Sequence, residues 1–150
     1  MKLVTTVALI LGGIVSINAQ EKDDQASMAG CPMMGEHGAM NARGDKGMGF
    51  SQEKTTHHFR IAADGGTIEV SSNDANDATS RAQIRQHLGH IAKMFEHGNF
   101  QIPMFVHGKM PDGATVMQQQ KKNVSYKYEE TVTGGLVRIR TSNPDALSGA

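Results

Sequence analysis

The run Gln83-Ile84-Arg85-Gln86-His87-Leu88-Gly89-His90-Ile91-Ala92-Lys93-Met94-Phe95 decides the fold, because it is the only long segment with a sustained helical period. Ile84, Leu88, Ile91 and Phe95 recur at i, i+4, i+7 and i+11, which at about 100° per residue makes one apolar stripe. His87, His90 and Met94 fall beside that stripe at i, i+3 and i+7, where residues three and four apart are neighbours and can share a ligand. The segment is therefore expected to be both the packing spine and the first candidate site.

On its N-terminal side, residues 55–61 alternate, Asp64-Gly65-Gly66 supplies turn residues, and Thr67-Ile68-Glu69-Val70 alternates again, which predicts a hairpin. Strand periodicity puts His57 on the face of Phe59, Ile61, Ile68 and Val70, and His58 with Arg60 and Glu69, so His57 is expected to be the inward one. Asp77 is the expected N-cap of the helix, which should stop near His97-Gly98. Beyond it, residues 103–107 read as a short extended piece and residues 114–122 as a short helix. Residues 124–132, a turn at Gly134-Gly135 and residues 136–141 make a second hairpin, with Val124, Tyr126, Tyr128 and Val132 sharing a face with Val137 and Ile139. The expected fold is α+β: two β-hairpins form an antiparallel sheet packed against one central amphipathic helix, a ββαββ-like domain over residues 50–150. Asn143-Pro144 then supplies another helix start, a cap followed by Pro at the first helical position.

Residues 1–19 have a short basic start, an uncharged, mostly apolar run and a small residue, Ala19, at the expected cut, and read as a secretory signal peptide. A membrane-spanning helix needs roughly 20 apolar residues, so no span is expected once the signal is removed, and the protein is placed in the periplasm. A single cysteine excludes an internal disulfide framework. With 15 basic and 15 acidic residues there is no electrostatic footprint for nucleic acid. Residues 20–49 are polar and Gly-rich, and are read as a flexible, disordered arm. Cys31, Met33, Met34, His37 and Met40 sit in that arm, with Met28 and Met48 flanking them. Thioether and thiolate sulfurs suit Cu(I) and imidazole suits copper or zinc, so the arm reads as a metal-capture segment.

Met48-Gly49-Phe50-Ser51-Gln52-Glu53-Lys54-Thr55-Thr56-His57-His58-Phe59-Arg60, together with Asp64-Gly65-Gly66, His87-Leu88-Gly89-His90-Ile91, Pro103-Met104, His107 and Tyr126-Lys127-Tyr128-Glu129-Glu130, resembles a family of small exported bacterial proteins. The resemblance covers roughly residues 48–147. It implies export and metal, since relatives often carry His- and Met-rich arms, but it brings no site residues. Members of the group are also labelled as carbamoyltransferases. Thr79-Ser80-Arg81 is similar to part of a carbamoyl-phosphate loop, yet a single small domain lacks the two-domain architecture of that chemistry.

Combining arm and domain, the candidate metal ligands are His57, His87, His90, Met94, Met104 and His107 on the domain, and Cys31, Met33, Met34, His37 and Met40 on the arm. The expected function is an exported protein of copper binding and homeostasis, with zinc or haem as alternative cofactors. Its partners would be the metal ion and another periplasmic metal carrier or a homodimer. One alternative is a non-enzymatic protein- or haem-binding module in which the histidines are structural; covalent haem attachment is excluded because Cys-x-x-Cys-His is absent. A second is a small metal-dependent redox enzyme. His87-Leu88-Gly89-His90 lacks the Glu and the i, i+4 spacing of zinc-protease helices, so no catalytic residues are assigned.

Overall fold

The computed structural model describes the backbone of residues 32–149, and side-chain surroundings from residue 38 onward. The expected signal peptide, residues 20–31 of the arm, and Cys31 lie outside the described residues. Two antiparallel hairpins, β1 (Thr55–Ala62) with β2 (Gly65–Ser72) and β3 (Val124–Glu130) with β4 (Gly134–Thr141), join side by side into one four-stranded sheet of order β1-β2-β4-β3. Between the hairpins run α2 (Ala78–Glu96), α3 (Gln101–His107) and α4 (Ala114–Gln119); α1 (Pro32–Met48) precedes them and α5 (Pro144–Leu147) follows.

Helix α2 starts where Asp77 accepts hydrogen bonds from Ser80 N at 2.9 Å and Ser80 Oγ at 2.7 Å, and ends at Gly98, whose φ of 74° is the left-handed cap geometry glycine permits. Ile84, Leu88, Ile91, Ala92 and Phe95 are buried along it. They meet Val70 of β2 and Val137 and Ile139 of β4 in one core, joined by Phe50, Phe100, Ala114, Met117, Val124 and Ala146. The helix packs chiefly on β4 and β3 and less on β2. Among the described residues, the outer strand β1 is thereby left without a helix packed closely over it. Phe59 and Ile61, on the face of Ile68 and Val70, consequently stand 72% and 92% exposed.

Four expectations are corrected. The arm is not disordered as far as residue 49: α1 is helical through Met48 and packs on α3, where Arg43 Nε donates to the Val106 carbonyl at 3.0 Å. Its glycines serve contact: a Cβ on Gly47 would meet Val106 Cγ2 at 3.2 Å and Phe105 Cδ1 at 3.3 Å, so the small residue lets α3 approach. Residues 103–107 are helical, because Pro103 falls in the first turn of α3, where its missing N–H is harmless. Gly134 and Gly135 belong to β4 and not to a turn. There a Cβ at 135 would stand 2.9 Å from Tyr128 Cε2 and 3.3 Å from Leu88 Cδ1, so glycine lets the strand pass beneath α2. Val132, past the end of β3, is 82% exposed and leaves the face assigned to it.

Candidate functional site

Position 57 pairs with Val70, and strand alternation turns the imidazole of His57 toward the helix side of the sheet. Phe50, 4% exposed, packs against it and also against His87 of α2. The Phe50 and His57 rings stack at 5.9 Å between centroids, while His87 meets Phe50 edge-on at 5.6 Å. Phe59 also stacks with His57, at 6.5 Å. Two histidines far apart in sequence thus share one aromatic neighbour. Nε2 of His57 is buried and has no hydrogen-bond partner among the described residues.

Burial holds the His87 imidazole down to about 4, from the usual 6.5, with smaller contributions from the charges His90 and His57 would carry. Burial likewise lowers His57, followed by the charge of His58. Both rings are therefore neutral at physiological pH, the form that offers a lone pair to a metal.

The remaining expected ligands scatter. His90 is exposed and lines a shallow surface depression with Met48, Lys46 and His87. Met94 packs against the core and lines neither this depression nor the cavity beside His57. Met104 is 41% exposed on α3. His107 is exposed at the rim of the cavity that contains His57 and His87. On α1, Met40 is half-buried and lines neither feature; the side chains of Met33, Met34 and His37 lie outside the described surroundings. Among the described residues, no three His, Cys, Asp or Glu side chains converge as a metal site.

Two residues missing from the expected domain site belong beside it. Met48 closes α1 and lines both the cavity and the depression next to His87. Phe50 ties the two imidazoles together. Their signal was in the sequence, for Met48-Gly49-Phe50 directly precedes the strand that carries His57.

No helix among the described residues is long and apolar enough to cross a membrane. Neither a protein-family model, nor a curated protein, nor a solved structure matches the chain.

Proposed function

We propose that this is an exported copper-binding protein, built as a ββαββ-like domain with α2 as its amphipathic spine, in which His57 and His87 receive Cu(I) delivered by the soft donors of the arm. The observation that carries the reading is the buried Nε2 of His57, without a partner among the described residues, in a cavity lined also by a second imidazole, His87, that packs on the same Phe50 ring. A buried polar nitrogen left unpaired costs free energy, and a bound ion satisfies it. Two imidazoles with a thioether from Met48 suit Cu(I), whose soft character accepts nitrogen and sulfur together. Zinc fits this part of the chain less well, since it usually takes at least three protein ligands from His, Cys, Asp and Glu.

The test is titration of the purified full chain with Cu(I) against a chromophoric chelator, alongside the His57→Phe/His87→Leu double variant. The variant should lose one tightly held copper while the arm sites remain. Unchanged stoichiometry and affinity would refute the domain site. Haem is the alternative favoured by the apolar cavity beside these imidazoles; adding haemin to the same two proteins separates it, because a Soret shift lost in the double variant would transfer the histidines to haem ligation.

A further inference from the structure

Between the outer half of the sheet, α2 and α3 lies an apolar cavity of about 360 Å³. Ile68, Val70 and Ile139 form its floor, Leu88 of α2 one wall and Val106 of α3 the other, while the exposed Phe59 stands at its lip. Protein interiors pack as densely as organic crystals, so an open space of this size beside the core is more than imperfect packing. It falls in the range of small-molecule pockets, roughly 300–1,000 Å³.

The lining carries two formal charges, Arg60 and Asp112. Arg60 pairs with Glu69 on the strand face turned away from the helix, and Asp112 is exposed. Both are solvent-exposed. The other polar side chains of the lining are Thr67 on the opposite strand face, the exposed His107, and the half-buried imidazoles of His57 and His87, each able when neutral to donate one hydrogen bond and accept another.

We propose that this cavity binds an uncharged amphiphile: an alkyl or aryl body of roughly 10–15 carbon atoms, the size such a pocket holds at organic packing density, bearing one hydroxyl or carbonyl group. The apolar body covers Ile68, Ile139 and Val106, and the polar atom meets the imidazoles. A carboxylate taken to the same place would lose its water with no fixed cation opposite, at a cost of several kcal/mol. Size admits both an alcohol and an acid of equal chain length; charge separates them. This inference rests on the cavity and uses His57 and His87 free of metal, so the amphiphile and Cu(I) would exclude one another there.

The experiment uses the full chain with copper removed by a chelator, so that a failure of metal binding leaves the result interpretable. The uncharged fluorophore N-phenylnaphthylamine is titrated at neutral pH, then displaced with decanol and, separately, with decanoate. Expected are saturable single-site binding and displacement by decanol at about tenfold lower concentration than by decanoate. Val106→Trp, which fills the cavity from α3, and Phe59→Asp, which places a charge at the lip, should each weaken the fluorophore by about tenfold. Phe59 is 72% exposed, so the second variant keeps its fold even where the first does not. Absence of saturable binding, or unchanged affinity in folded Phe59→Asp, overturns the site; decanoate matching decanol overturns the uncharged class.

Discussion

Mild acid should destabilise this domain through its imidazoles before any carboxylate releases its hold. His87 has its pKa lowered from 6.5 to about 4 by burial and by the neighbouring His90 and His57. The folded state therefore prefers the neutral ring, and the unfolded chain takes up a proton first. Stability is present in full above pH 6.5, falls as the pH drops from 6.5 toward 4, and has lost this contribution below both values. Between neutrality and about pH 5 the loss from His87 alone is roughly 2 kcal/mol, out of roughly 3 kcal/mol over the whole shift. His57, also lowered by burial, adds loss of the same sign. Asp77 and Glu129 are held below their ordinary 3.8 and 4.5, so their contributions fade at lower pH and leave this interval to the imidazoles. Urea unfolding followed by far-ultraviolet circular dichroism, at several pH values and with metal chelated, measures the effect. His87→Leu should remove most of the slope. A flat stability profile in the parent chain, or an equal slope in His87→Leu, would refute the argument that burial of this ring sets its protonation.

Leu88→Ala removes a side chain with no solvent exposure from the centre of the core, and should cost about 3–4 kcal/mol by the same urea measurement; a loss under about 1 kcal/mol would mean that the sheet does not pack on α2 as described. Gly47→Leu tests the docking of α1. Leucine is the better helix former by several tenths of a kcal/mol, yet its Cβ would press on Val106 and Phe105, so amide exchange should quicken along α1 and α3 while β2 and β4 stay protected. Unchanged exchange in α1 would mean that its glycines are not there for contact.

Hairpin periodicity was readable because alternation follows from the pleat alone, and it put His57, Ile68 and Val70 on one face without tertiary information. The errors cluster at glycine and proline. Gly134-Gly135 has turn composition, but what fixes its place is the approach of Leu88 from α2, far away in sequence, over the strand that Tyr128 flanks. Gly47 suggests flexibility until α3 is set beside it. Pro103 is compatible with an extended strand or with a first helical turn, and only the Phe100 and Gln101 backbone that precedes it decides. The site shows the same limit. Helical spacing groups His87, His90 and Met94, yet burial separates them: His87 turns toward Phe50, His90 stays in solvent and Met94 joins the core.

Phe50 explains why arm and domain are best treated as one functional unit. It follows Gly49, whose φ of 79° ends α1 after Met48, and its ring is the contact common to His57 and His87. Helix α1 is in turn held to α3 by Arg43 and by the close approach at Gly47. A force on α1, whether from metal bound to its donors or from a carrier docked there, therefore reaches the imidazoles through two covalent links and one aromatic packing. The neutral state of His87 depends on burial, and the Phe50 ring is one of the groups packed against it. Displacing that ring would admit water and raise the pKa of both imidazoles toward 6.5, so that in mild acid protons would compete for their lone pairs. Were the copper proposal to hold, the segment that delivers the ion would thus also set the acidity at which the domain releases it.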